Sequence, residues 1–178
     1  MKIFATKDIP EELNRTSITF IPKIPGLETL NNYSPISLCN TMYKIVSEIL
    51  VAQLKPLLGK LISPFQSAFV LGRRGTDNAI IVQELIHTLD RKKGRTRFMA
   101  IKIDLEKAYD KLEWSFIREM LFKVNLPQNL IKLMMSYVSM VSSSIVVNGR
   151  DIDQILPSRC LREGDSLSPY IFILCITF

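Results

Sequence analysis

A mixed α+β fold follows from three features of the sequence. Several stretches carry apolar residues at three- and four-residue spacing, as amphipathic helices do. Residues 98–105 alternate between apolar and polar, the period of a half-buried strand. Asn148-Gly149 stands between two β-like runs, the strongest short-range hairpin signal. Together they predict helices packed on a small antiparallel sheet.

Residues 11–40 are rich in Pro, Asn, Ser and Thr, with a short β-like run at 18–21 ended by Pro22. The Ile21-Pro22 and Ile24-Pro25 steps favour extended backbone. From Thr41 the period changes: Ile45, Val46, Ile49, Leu50 and Leu54 share one face of a helix running to about Leu58. A second helix opens at Thr76 or Asp77, either able to cap its first turn, with Ile81, Leu85 and Leu89 on its apolar face. A basic run, RKKGRTR at 91–97, ends it. In the strand that follows, Met99, Ile101, Ile103 and Leu105 face one way while Ala100, Lys102 and Asp104 face the other.

Helix returns at 113–123, with Trp114, Ile117 and Leu121 in phase, and again from Pro127, a residue suited to the first helical position, to about Met140. The hairpin joins residues 144–147 to a return strand at 154–156. A polar loop, RCLREGDSLSP, then meets an apolar segment that begins at Ser168-Pro169 like a capped helix. Because the chain ends at Phe178 inside that segment, elements to cover it are expected to be lacking.

Composition narrows the function. With 47% hydrophobic residues, the 178-residue chain can build a core and is no disordered tail. Three cysteines, odd in number and far apart, imply neither a disulfide framework nor a thiolate zinc site, and a single histidine, His87, rules out a His-rich metal site or a histidine relay. The longest apolar run, 171–176, is far short of the roughly 18 residues that cross a bilayer. Residues 1–10 contain no apolar stretch of signal-peptide length, so a reduced, intracellular protein with no membrane partner is expected. The formal charge of +6 is concentrated at Arg91, Lys92, Lys93, Arg95 and Arg97, a patch that attracts phosphate backbones if it is more than a solvated loop.

Asp104 near the end of an apolar strand, beside cations, is a candidate ligand for a hard cation in phosphoryl transfer; a structural hydrogen-bond acceptor is the competing reading. Further carboxylates for a two-metal site would come from Asp110, Asp151, Asp153 or Asp165, and no Asp-Asp pair occurs in the chain.

Five collinear blocks carry a family likeness: ITFIPK (18–23), NNYSPISLCNTMYKI (31–45), PFQSAFVLGRRGTDN (64–78), AIKIDLEKAYDKLEW (100–114) and LREGDSLSPYIF (161–172). In sequence, order and interval they resemble the reverse transcriptase domain of plant non-LTR retrotransposons of the LINE type. The resemblance implies the fingers (about 13–97) and an incomplete palm (about 98–178) of a right-hand polymerase, after an N-terminal extension at 1–12. It also implies that the chain is truncated before the Asp-Asp block that completes the metal site. On this likeness the activity is RNA-directed DNA synthesis with Mg2+, and the partners are an RNA template, a DNA primer and deoxynucleoside triphosphates.

Residue by residue, the resemblance makes Asp104 the first catalytic aspartate and a metal ligand, with the backbone carbonyl of Leu105 as another. Lys23, Arg73 and Tyr109 match nucleotide-binding positions, Tyr109 as a steric gate against a ribose 2′-hydroxyl. Lys44, Glu163 and Gly164 match positions on the template–primer. The sequence departs from the family at Ser34, Cys160, Glu163 and Ser166, where Arg, Gly, Gln and Pro are usual. The expected function is that of a reverse transcriptase inactive as this isolated polypeptide. The alternatives are a catalytically dead binder of RNA or RNA–DNA hybrid, and a degenerate open reading frame without function. The likeness suggests work at nuclear DNA, though no clear targeting signal accompanies it.

Overall fold

The computed structural model describes residues 9–26, 29–92 and 98–177. The first long helix, α1 (Thr41–Leu61), starts where the side chain of Asn40 accepts the Met42 N–H at 2.8 Å, supplying one of the partners a helix start lacks. Its buried stripe is Tyr43, Val46, Ser47, Leu50, Val51, Leu54 and Leu58; Ile45, expected on that face, is exposed. Pro56 lies on the exposed side, where water can satisfy the carbonyl its missing N–H leaves free. Helix α2 (Gly75–Arg91) follows, then α3 (Trp114–Lys123), α4 (Gln128–Ser139) and α5 (Ser168–Thr177).

Helix α4 is buried continuously from Leu133 to Val138 and so lies inside the helical layer. Helix α3 packs against both α4 and α5, α1 packs against α5 and stacks Tyr43 on Tyr137 of α4, and the whole forms one contiguous core with Leu50, Leu54, Leu58, Ile117, Leu121 and Leu174 fully enclosed. The expectation that the last apolar segment would lack cover is therefore corrected: α5 buries Ile171, Ile173 and Leu174 against other helices, not a sheet.

Four strands form one sheet in the order β2-β1-β3-β4: β1 (Arg15–Pro22), β2 (Tyr33–Cys39), β3 (Ser142–Val147) and β4 (Arg150–Ile155). The outer pairs are antiparallel, β1 with β2 in the register Thr16↔Cys39 to Pro22↔Tyr33, and β3 with β4 across the hairpin. Asn148 and Gly149 both take positive φ, 52° and 75°, as a tight two-residue turn of the primed type requires. The central pair, β1 with β3, is parallel (Arg15↔Ser142 to Ile18↔Ile145), so the sheet is mixed rather than antiparallel. A parallel pair needs a long crossover, and here the helices supply it.

Two expectations about strands change. Residues 33–39 form β2 despite Pro35, which is tolerated because β2 is an edge strand. Residues 98–105 do not form a strand: no described strand pairs with them, and Met99 and Ile103 are 79% and 80% exposed. Alternation prepares a strand, but a ladder partner is needed to hold one. Helix α2 forms as expected, but Arg74 rather than Thr76 or Asp77 stands at its cap, without a side-chain cap bond, and none of its residues is buried. Ile81 and Leu85 on its expected apolar face stay exposed.

Candidate functional site

The segment 160–165 links the turn before α3 to the free edge of the sheet. On one side the Cys160 N–H donates to Leu112 O at 2.9 Å and the Leu161 N–H to Tyr109 O at 3.0 Å. The Trp114 indole N–H donates to Cys160 O at 3.0 Å. On the other side the Ser37 N–H of β2 donates to Glu163 O at 3.1 Å, so the segment occupies part of an edge that would otherwise be open. Gly164 follows at φ 91°, and a Cβ there would stand 3.4 Å from Ser37 O. The close backbone approach is thus to β2.

Cys160 takes φ 103°, a conformation natural to glycine. Cys160→Gly is therefore expected to stabilise the chain by about 1 kcal/mol, strain relief outweighing glycine's greater unfolded-state entropy. Thermal unfolding checks this: a melting temperature about 2–4 °C higher is expected for a chain of this size.

Four of the side chains considered from sequence come under one another's charge here. Burial first, then the Asp110 carboxylate, pushes Glu163 above the usual carboxylate range, while Lys23 pulls it down. Burial, then Glu163, raises the Tyr109 phenol. Tyr109 is fixed edge-on against Phe172 of α5, ring centroids 5.0 Å apart. Lys23 is exposed beyond the end of β1, its N–H donating to Asn32 O at 2.9 Å. Asp110 and Glu163 also line a cavity of 120 Å3 roofed by Ile18, Pro35 and Ser37 of the sheet.

Other candidates lie elsewhere. Asp104 and Leu105 sit on the exposed, unpaired backbone of residues 98–105. Lys44 is exposed in the first turn of α1. Arg91 and Lys92 are exposed at the end of α2, Lys92 with its ammonium 3.9 Å from the centre of the Phe98 ring. Lys93, Arg95 and Arg97 fall outside the described residues. Asp151 and Asp153 are on β4, the opposite edge of the sheet from Glu163.

Arg73 works as a cap. Its Nη1 donates to Ser63 O and, at 2.7 Å, to Gln66 O; its Nη2 reaches Gly59 O and Ile62 O at 3.4 Å. These carbonyls belong to the end of α1 and the turn after it, which have no helical donors of their own. Arg73→Ala is expected to destabilise the chain by about 2–3 kcal/mol, because bonds from a charged donor are lost and the carbonyls are left to water. Urea unfolding should show a lower midpoint with an unchanged slope.

Asp165, a sequence candidate for metal binding, is instead 7% exposed and engaged in the core. Its Oδ1 accepts from Ser47 at 2.7 Å and Tyr137 at 3.5 Å, and its Oδ2 from Ser168 at 3.3 Å. Burial raises its pKa, and the Ser47 bond and the Arg162 charge oppose that rise. Arg162, 8% exposed, was not singled out from sequence. A lone charged residue in a polar loop gives no signal of burial; only its apolar neighbour Leu161 hints at it.

The carboxylates do not assemble a metal centre. Among the described residues no three His, Cys, Asp or Glu side chains come together, and Asp104 stands on exposed backbone. Hard cations need several oxygen ligands held in place, so these residues do not fit a two-metal site. Nor, among the described residues, is any helix long and apolar enough to cross a membrane.

Residues 21–178 match the model of the family described as reverse transcriptase (RNA-dependent DNA polymerase). The chain is similar to the transposon TX1 uncharacterized 149 kDa protein of Xenopus laevis, 26% identical over 173 residues, which are 97% of this chain and 13% of that protein. It is similar also to the retrovirus-related Pol polyprotein from the type-2 retrotransposable element R2DM of Drosophila melanogaster, 25% identical over 167 residues, 94% of this chain and 15% of that one. A Pol polyprotein from a type-1 element R2 of Popillia japonica is 23% identical over 165 residues, 92% of this chain and 23% of its own length. The chain therefore spans less than a quarter of each of these relatives.

Proposed function

The chain belongs to the reverse transcriptase (RNA-dependent DNA polymerase) family, with relatives among the Pol proteins of non-LTR retrotransposons, and from that premise we propose that it holds the RNA template, the DNA primer and an incoming deoxynucleoside triphosphate for RNA-directed DNA synthesis. The observation that carries this reading is the convergence of Lys23, Tyr109 and Glu163 beside the edge of β2, from segments up to 140 residues apart. Lys23 suits a triphosphate, as an exposed cation whose charge reaches Glu163. Tyr109, held edge-on by Phe172, presents a rigid ring that can exclude a 2′-hydroxyl. Gly164 and Glu163 form a solvent-reaching rim for template–primer, with Lys44 and the cations of residues 91–97 as phosphate contacts. Arg73 contributes indirectly, through the turn it caps.

Such synthesis uses Mg2+ in this family, to activate a primer hydroxyl and neutralise the leaving pyrophosphate. Asp104 and the Leu105 carbonyl are this chain's offer to that centre. One side chain and one carbonyl cannot fix two hydrated dications, so no chemical step is assigned to the chain alone.

Fluorescence anisotropy with a labelled RNA–DNA hybrid tests the binding. Neutralising five phosphates predicts an affinity loss of roughly 10²–10³-fold between 50 and 200 mM salt. Charge reversal at Arg91, Lys92, Lys93, Arg95 and Arg97 should flatten that dependence, and Lys23→Glu should weaken binding further. Affinity indifferent to both salt and these changes would overturn the proposal.

A further inference from the structure

Residues 163 and 164 reach solvent, yet the residues on either side of them are buried charges. The Arg162 guanidinium lies 4.4 Å from the centre of the Tyr43 ring of α1. Its Nη2 donates to both oxygens of Asn14, backbone and side chain, in the turn before β1. Asn14 in turn donates to Ser136 O and Met140 O at the end of α4. Asp165 accepts from Ser47 of α1, Tyr137 of α4 and Ser168 of α5. Tyr137 stacks on Tyr43 at 3.9 Å and donates to its carbonyl at 2.9 Å, joining the two halves of the network. Burial, then the Asp165 charge, raises both phenols, so they remain protonated donors.

Stability alone is a poor reason for this arrangement. Two buried charges lose their hydration, and a well-packed apolar pair of the same volume commonly does as well or better. Here the penalty is compounded: Nε and Nη1 of Arg162 are buried with no hydrogen-bond partner. What the two charges do accomplish is directional. Arg162 is tied through one nitrogen to Asn14, and Asp165 to hydroxyls of three helices, so both ends of the segment between them are anchored, with Glu163 O on the Ser37 N–H.

We infer that Arg162 and Asp165 are positioning residues, whose buried bonds fix the segment between them so that Glu163 and Gly164 meet the template–primer already in place. This rests on the binding function proposed above, and it assigns the two charges a role in affinity, beside the part the Asp165 oxygens play in the fold as acceptors. Ordering the segment in advance removes a loss of freedom that binding would otherwise incur.

The test is the double variant Arg162→Met/Asp165→Asn, which keeps the stem over Tyr43 and an oxygen for Ser47 while removing both charges. Its melting temperature is expected to stay within a few degrees of the wild type. Amide hydrogen exchange at Ser37 and Leu161, which bond to the segment and its anchor, is expected to quicken at least about tenfold, with α4 amides unchanged. Affinity for an RNA–DNA hybrid is expected to fall about tenfold, with its salt dependence unaltered because no phosphate-neutralising residue has changed. Unchanged exchange at Ser37, or unchanged affinity, overturns the inference. If the double variant melts far below the wild type, Asp165→Asn alone carries the same two readouts. A wild-type chain that binds no hybrid at all overturns the proposed function instead, and the exchange data then still report whether the pair fixes the segment.

Discussion

Asp165→Ala is expected to destabilise the chain by about 3 kcal/mol, a large share of the roughly 5–15 kcal/mol that holds a domain together. The change removes the acceptor of the Ser47 and Ser168 hydroxyls, while Tyr137 keeps its shorter bond to Tyr43 O, and it removes a buried charge opposite in sign to that of Arg162. None of those donors can turn to water without opening the core. Asp165→Asn, which keeps one acceptor oxygen and sheds a charge that burial already disfavours, should cost far less. Urea unfolding of the two variants separates the explanations: similar losses for both would mean that the charge itself, not the acceptor, stabilises the fold.

Gly164→Val is expected to cost about 2–3 kcal/mol, for two reasons that act together. A backbone at φ 91° strains any L-residue, and a β-branched one most. The added Cβ also comes into van der Waals contact with Ser37 O at 3.4 Å and the Ile36 side chain at 3.6 Å, so the two methyl groups beyond it crowd the edge of β2 unless they turn to solvent. A segment that shifts to relieve the strain lengthens the Ser37–Glu163 bond. Alongside the lower unfolding midpoint, exchange at the Ser37 amide should therefore become fast. Gly164→Ala, with the strain but without the branch, should cost about half as much. A valine variant as stable as the wild type would show that residue 164 is not held against the sheet.

Local features of this fold were legible and distant ones were not. The Asn148-Gly149 turn, the phase of Trp114, Ile117 and Leu121 and the start of α5 at Ser168 depend on neighbours within one or two turns, and each element forms as its residues indicate. Strand β2 was hidden by Ser34, Pro35 and Ser37, of which Pro35 is tolerated because β2 lies at the edge of the sheet. The parallel pairing of β1 with β3 joins residues 127 positions apart, such as Arg15 and Ser142, and no local pattern encodes it. Residues 98–105 err the other way: their alternation is clear, but its fulfilment depends on a partner strand that the described residues do not supply. Within the candidate site, the types of Lys23, Tyr109 and Glu163 were informative only through family likeness, since their meeting is a product of the tertiary fold. Arg73 and Asp165 show why residue type alone misleads. A cation can serve carbonyls as readily as phosphates, and a carboxylate can serve hydroxyls as readily as metals.

Primer extension on an RNA template tests most directly whether this polypeptide binds nucleic acid without a metal centre of its own. With labelled primer, all four deoxynucleoside triphosphates and either Mg2+ or Mn2+, the expected result is hybrid binding with no added nucleotide. Extended product that disappears in Asp104→Asn would contradict it, because it would mean that the exposed aspartate of residues 98–105 finds enough partners in this chain to assemble the catalytic ions.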